Sequence, residues 1–322
     1  MGGLTLVITG AGGFLGRHAV AEARARGHQV RAVLRGVAPG GWGAGVDPVT
    51  ADLADPTATA TLTRALRGAD AVIHAAAALT GDDATHARDT LGATETLLSA
   101  MAALGAEAPR LVLVSSLAVY DFRALPEGGT LDETAPLEPR AHRRDAYCRA
   151  KLAQETMCRA AAEAQGFGLT IMRPGAIYGP GRAWNAHLGP AFGPVLLRLS
   201  ARGEVPLSHV SHAAEALVRA AETPPEGVAV VNVVDDALPD RAAFLAALRK
   251  SGWPKLVLPL PWKLLRVLSP LAPTSAPGLL RAEVLAARGK PLRYANDRLH
   301  ALGWQPRLDF AEAMTRALEE GT

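Results

Sequence analysis

Residues 147 to 151 read Tyr-Cys-Arg-Ala-Lys. On a helix, Tyr147 and Lys151 share one face, a turn apart. That pairing suits proton transfer. A tyrosine phenol titrates near about 10, too high for efficient acid–base work at neutral pH. A neighbouring ammonium favours the phenolate and is expected to lower that value. The chain has four tyrosines and five lysines, so a Tyr with Lys at +4 arises by chance about 6% of the time, and the pair must be read with its surroundings. Two serines, Ser115 and Ser116, close the apolar run RLVLVSS (110–116). Side chains alternate along a strand, so only one of them can face a site with the tyrosine. No His–Asp pairing accompanies them, so nucleophilic hydrolase chemistry is not expected.

A second chemical signal is TGAGGFLG (9–16), with Gly10, Gly13 and Gly16 three apart. It follows an apolar run and opens a helical one. Glycine there permits a tight turn, close approach of backbone N–H groups to a pyrophosphate, and close helix–strand packing. The helix amino end adds partial positive charge for the phosphates. Dinucleotide binding is the expected role, with Phe14 and Leu15 inside the loop. The end of the second strand reads Val33-Leu34-Arg35-Gly36, without the carboxylate that usually holds the ribose 2′-hydroxyl of NAD. Arg35 can instead pair with a 2′-phosphate, so NADP is favoured over NAD. Asp52 and Leu53 close the third strand. Asp52 is read either as an acceptor for the adenine amino group or as a turn residue.

These residues need a frame. Short continuous apolar runs at 4–9, 28–35, 48–53, 70–77, 110–116 and 169–174 alternate with helical stretches at 13–26, about 85–104 and about 145–165. Such runs are expected of strands buried on both faces of a parallel sheet. The alternation predicts an α/β fold with a doubly wound, mostly parallel sheet of the Rossmann type. Helix 145–165 ends at Gly166 and carries Tyr147 and Lys151 in its first turns. The Pro-, Gly- and charge-rich stretch 123–145 is expected to be a solvated loop, with its basic segment Arg140, His142, Arg143 and Arg144 read as solvated in preference to meeting an anionic substrate. After 174 the alternation decays, and 210–222 with 228–234 returns one more helix–strand pair. The expected division is a dinucleotide-binding domain, 1–176 with 209–236, and a smaller discontinuous substrate domain, 177–208 with 237–322, containing Trp253, Trp262 and Trp304.

Composition narrows the function classes. Hydrophobic residues make up 49% of the 322 and charged residues 20%, which favours a large packed core over disorder. A net charge of +3 without a long basic run argues against nucleic acid as a partner. Cys148 and Cys158, ten apart on one predicted helix, stand about 15 Å from each other, too far for a disulfide, and a cytoplasmic setting is expected. No signal peptide is expected. The apolar tract 255–273 is interrupted by prolines, Lys263 and Arg266 and is not expected to span a membrane, while weak docking to a membrane surface stays open. The histidines His74, His209 and His212 are read as structural, capping or surface residues, and no metal site is expected.

The chain resembles the extended short-chain dehydrogenase/reductase family, also called the NAD-dependent epimerase/dehydratase family. The resemblance is carried in order by TGAGGFLG, VIHAAA (72–77), LVSSLAVY (113–120), LDETAPLEP (131–139), YCRAK, RPGAIYGPG (173–181) and HVSHAAEAL (209–217). It implies that Gly10, Gly13, Phe14, Leu15, Gly16, Arg35, Asp52, Leu53, Ala75, Ala76, Tyr147, Lys151 and Pro174 surround the cofactor. It also implies that Lys151 holds the nicotinamide ribose hydroxyls. Tyr147 would then move a proton to or from the substrate oxygen, and Ser116 would hydrogen-bond that oxygen. Family members often dimerise through the helix bearing the Tyr–Lys pair, so a homodimer is implied.

Sugar-nucleotide dehydratases of the family follow this serine or threonine with Asp-Glu. Here Leu117 and Ala118 follow Ser116, so dehydration is not expected. The triad alone does not separate a reductase from a nucleotide-sugar epimerase. The apolar second half leans toward a small carbonyl or alcohol substrate with an apolar body, while Arg281, Arg288 and Arg293 keep a nucleotide sugar open. A non-catalytic NADP-sensing or scaffold protein on the same fold is a third reading. It is disfavoured because both Tyr147 and Lys151 are present.

Overall fold

The computed structural model describes residues 2–38, 40, 42–200, 202–268 and 281–319. Seven parallel strands form the main sheet: β1 (Thr5–Thr9), β2 (Gln29–Leu34), β3 (Val46–Thr50), β4 (Ala71–His74), β5 (Arg110–Val114), β6 (Leu169–Pro174) and β7 (Val228–Val233). Their spatial order is 3-2-1-4-5-6-7, all parallel. The order reverses between β1 and β4, and in such sheets ligands bind at the carboxyl ends beside that reversal.

Five helices cover the sheet: α1 (Phe14–Ala25), α2 (Thr59–Leu66), α3, α4 (Ala146–Gln165) and α5 (Val210–Glu222). Helix α3 starts as Asp83–His86, loosens through a π-helical turn at Ala87–Gly92 and continues as Ala93–Ala102. Alternation along β1 sends Leu6 and Ile8 into the core with α1 and α5, and Val7 into the core with Leu62 of α2, Leu97 of α3 and Cys158 of α4. The doubly wound α/β sheet expected from the sequence is therefore present. Cys148 and Cys158 are both buried thiols.

Helix α4 is fixed at both ends. The Asp145 carboxylate accepts from the Cys148 amide at 2.9 Å, satisfying one orphan N–H of the first turn. Gly166 ends the helix at φ +77°, a left-handed conformation that costs glycine nothing.

A further core lies beyond the sheet, built on Tyr178, Leu188, Leu196, Phe244 and Met314. The chain crosses back near its end. Leu299 and Trp304 pack in the α1/α5 core, with the Trp304 indole N–H donating to the His212 carbonyl at 3.1 Å. Trp304 thus belongs to the main sheet rather than to the outer layer expected of all three tryptophans. Of the tract 255–273, residues up to 268 form a strand at Leu256–Pro259 and a short helix at Trp262–Leu268, and the remainder lies outside the described residues. Among the described residues no helix is long and apolar enough to cross a membrane.

The loop 123–145 is not simply solvated. Glu283, fully buried on helix Ala282–Gly289, draws in Arg123 at 2.6 Å, Arg143 at 3.4 Å and Arg140 at 3.8 Å. Arg144 is itself buried and pairs with Glu138 at 3.6 Å. A buried carboxylate with no cation nearby would be too costly, so one acidic residue gathers the basic loop onto the outer layer.

Candidate active site

The glycine loop is shaped by its own close contacts. Gly10 sits at φ +68°, and a Cβ there would lie 2.8 Å from the Ala76 nitrogen. A Cβ on Gly16 would lie 2.1 Å from the Gly10 carbonyl oxygen, so α1 can approach β1 only with glycine at that position. No side chain caps the amino end of α1. Its first residues, Gly13 to Gly16, instead line a cavity of about 980 Å³ that also contains Val114, Ser116, Tyr147, Lys151 and Pro174. A second cavity of about 460 Å³ continues from the loop past Arg35, Asp52, Leu53, Ala75 and Ala76. An uncapped helix amino end between two joined cavities fits the pyrophosphate of a dinucleotide, with the adenosine in the smaller cavity and the nicotinamide in the larger. Every residue that the sequence assigned to the cofactor lines one or both cavities.

The two serines part as alternation requires. Ser115 donates its hydroxyl to Glu155 at 2.6 Å, inside a buried ion pair between Glu155 and Arg173. The Ser116 hydroxyl accepts from the Ala118 amide at 3.1 Å, in the cavity with Tyr147. Tyr147 departs from the sequence expectation. Burial pushes its phenol above the ordinary value, and the hydrogen bond with Ser116 only partly opposes this. Lys151 does not lower it, for the ammonium lies 6.0 Å from the Tyr147 ring centroid and is turned toward the sheet. Tyr147 is thus held as a neutral phenol at neutral pH.

Lys151 is buried, and desolvation brings its pKa down to about 8. It donates to the Val114 carbonyl at 2.7 Å and to Gln154 Oε1 at 2.9 Å. From there a buried network of hydrogen bonds runs to the glycine loop. Gln154 donates to the Thr94 hydroxyl at 2.8 Å, which donates to the Thr90 carbonyl at 2.7 Å. Thr94 therefore receives the His74 Nε2 proton at 3.1 Å, leaving His74 Nδ1 to accept from the Thr9 hydroxyl at 2.7 Å. Burial and the nearby Lys151 hold His74 neutral, its pKa down to about 3, which suits one donor and one acceptor nitrogen. The structural reading of His74 thus holds, and it braces Lys151 against β1. His209 caps α5 as expected, but it and His212 are buried rather than on the surface, and His212 pairs with Asp235 at 2.9 Å.

Several site residues carried no sequence signal. Asp89 of α3 lines the adenosine-sized cavity 3.5 Å from Arg35 and 2.8 Å from Arg88. His86 is buried in a T-shaped contact with the Tyr147 ring, centroids 6.0 Å apart, and neither ring nitrogen is hydrogen-bonded. Gln154 and Thr94 look like ordinary helix residues until the fold places Lys151 between β5 and α3. Asp52 is a turn acceptor for Ala54 N–H at 3.1 Å, and it also lines the smaller cavity. Among the described residues no group of His, Cys, Asp and Glu is arranged to hold a metal ion.

The family model for the NAD dependent epimerase/dehydratase family matches residues 6–233. The chain belongs to that family. It is accordingly a nicotinamide-dependent enzyme of the extended short-chain dehydrogenase/reductase type, an oxidoreductase by its family chemistry. A 3-diazoavenalumate denitrifying reductase from a Streptomyces species is 31% identical over 318 residues, 94% of this chain and 96% of the relative. A 4-hydroxy-2-methyl-3-oxo-4-farnesyl-3,4-dihydroquinoline-1-oxide ketoreductase from Stigmatella aurantiaca is 33% identical, over 89% of this chain and 84% of the relative. Among solved structures, a Thermus thermophilus UDP-glucose 4-epimerase in complex with NAD superposes at a TM-score of 0.71 with 22% identity, covering 99% of both chains. That likeness shows the shared fold.

Proposed function

We propose that this family member is an NADP(H)-dependent carbonyl reductase in which Tyr147 is the proton donor, Ser116 holds the substrate oxygen and Lys151 holds the cofactor ribose. The observation that carries the reading is a single cavity joining the uncapped amino end of α1 to Ser116, Tyr147 and Lys151. The reductase and ketoreductase named among its relatives support it further. A bound nicotinamide supplies the hydride that reduces the carbonyl carbon. Tyr147 gives its phenolic proton to the carbonyl oxygen, so C=O becomes CH–OH. A screen of ketones with NADPH and NADH, followed by nicotinamide absorbance and product analysis, tests the reading. Epimerised sugar without net change in absorbance sinks it.

Support for NADP lies in Arg35, whose side chain is two-thirds exposed in the adenosine-sized cavity and whose nearest carboxylate, Asp89, is 3.5 Å away. Arg35→Ser is expected to weaken NADP⁺ binding by roughly 10- to 100-fold, the scale of a lost charge-assisted hydrogen bond, with NAD⁺ little changed. Equal losses for both cofactors, measured by calorimetry, would remove Arg35 from the choice.

Lys151 gives a pH dependence. Its folded pKa is depressed, so the ammonium is present below about 8 and is lost as pH rises through that value. Cofactor affinity of the wild type is expected to fall above about pH 8. Gln154→Leu removes an acceptor that favours the ammonium, so the fall should begin at lower pH. A profile identical to wild type would make Gln154 irrelevant to Lys151.

We also propose the division into a dinucleotide half, 1–176 with 209–236, and a substrate half, 177–208 with 237–322, with the segment around Leu299 and Trp304 rejoining the first. A cytoplasmic homodimer through α4 completes the reading, and light scattering of the purified chain tests it.

A further inference from the structure

The large cavity extends past Tyr147 to a polar cluster with no role in the chemistry above. Asn185 and His187 come from the loop after β6, and Arg288 from helix Ala282–Gly289. Asn185 Oδ1 accepts the His187 amide at 3.1 Å, so its other end, Nδ2, carries the N–H groups; that atom is buried without a partner. His187 Nδ1 is likewise buried without a partner. Burial and the nearby Arg241 and Arg288 keep the His187 ring neutral, its pKa down to about 3. The fully buried Arg241 fixes the arrangement: Nε donates to the His187 carbonyl at 3.2 Å and Nη2 to the Arg288 carbonyl at 2.9 Å.

Arg288 is half-buried, and among the described residues no group accepts from its guanidinium. The other cations of the cavity are accounted for. Arg144 pairs with Glu138, Arg182 stacks over the Phe14 ring at 4.7 Å, and Lys151 is braced by Val114 and Gln154. The one lining carboxylate, Asp145, is engaged in capping α4. Arg288 therefore brings to the cavity a guanidinium without an acceptor, and Asn185 and His187, which line it too, each hold a buried polar atom without a partner.

We propose that Asn185, His187 and Arg288 form a subsite for a carboxylate on the substrate, making the enzyme a reductase of oxo acids. This rests on the carbonyl-reductase reading and adds the substrate class. A carboxylate matches the guanidinium fork and supplies the acceptor and counter-charge that Arg288 lacks. A diphosphate would bring excess negative charge to the cluster. Leu79, Leu117, Phe122 and Leu318 line the same cavity and suit an apolar body between the carboxylate and the carbonyl.

The test is calorimetric binding of 4-oxo-4-phenylbutanoate, levulinate and their methyl esters to the protein loaded with NADP⁺. Each acid is expected to bind roughly 10- to 100-fold tighter than its ester. Arg288→Met should bring acid and ester close to equal, and Arg288→Lys should retain part of the preference. Retained NADP⁺ binding certifies that each variant is folded. Equal binding of acid and ester by the wild type, no binding of either acid, or a preference that survives Arg288→Met overturns the subsite. So does UDP binding that is tighter than either acid and lost in Arg288→Met. Oxidation of NADPH by these oxo acids or by neutral ketones reports separately on the reductase reading. Its absence with the acid preference intact would sink that reading and leave the subsite standing.

Discussion

Tyr147→Phe is expected to lower turnover by about 100- to 10,000-fold, the range for loss of a positioned proton donor, with cofactor affinity changed by less than about two-fold. The phenol lies in the cavity beside Ser116, while the proposed cofactor contacts of the glycine loop, Arg35 and Lys151 are left intact by the substitution. The substitution removes one oxygen and keeps the ring in its T-shaped contact with His86. Steady-state rates with the best ketone found, beside calorimetric titration with NADP⁺, give both numbers. Undiminished turnover would show that another group supplies the proton, and His86, with two unbonded ring nitrogens, would be examined next. A parallel loss of cofactor binding would mean that the tyrosine acts through structure.

The largest effect on stability is expected at Glu155. Its carboxylate receives two hydrogen bonds from Arg173, at 2.9 and 2.6 Å, and a third from Ser115 at 2.6 Å. Both partners are nearly inaccessible to solvent, and the Arg173 guanidinium lies 4.6 Å from the Tyr120 ring centroid. Glu155→Ala leaves a buried guanidinium without its counter-charge, which costs roughly 3–5 kcal/mol. For a chain of this size that lowers the melting temperature by on the order of 10 °C. Glu155→Met combined with Arg173→Met removes both charges and should recover more than half of the loss, because the cost lies mainly in the unpaired ion. Thermal and urea unfolding of the single and double variants decide it. A double variant as unstable as Glu155→Ala would place the cost in packing instead. The pair also matters to the site, since it anchors Ser115 and so fixes the strand end from which Ser116 faces Tyr147.

The frame was legible because its signals are local. Continuous apolar runs marked buried parallel strands, Gly166 marked the end of α4, and the glycine spacing marked the turn where α1 meets β1. Helix geometry alone placed Tyr147 and Lys151 on one face. Less legible was anything set by solvent exclusion. The ammonium one turn from Tyr147 was expected to lower its pKa. In the fold Lys151 turns to Val114 and Gln154, burial dominates, and the phenol moves upward.

The same division holds for charges. Arg140 and Arg143 read as solvated because nothing nearby in sequence pairs with them, and Arg144 because spacing does not show that it and Glu138 are buried together. Their partners include Glu283, about 140 residues away and fully buried. Asp89 and Arg35 meet only because α3 passes the end of β2. Sequence by itself determined the fold class, the dinucleotide loop and the Tyr–Lys pair, each set by periodicity or spacing within one or two elements. Tertiary structure alone decided what holds Ser115 away from the site, what braces Lys151, and which cation at the far end of the cavity is left without an acceptor. These are matters of burial and long-range pairing, and neither is encoded in the spacing of neighbouring residues.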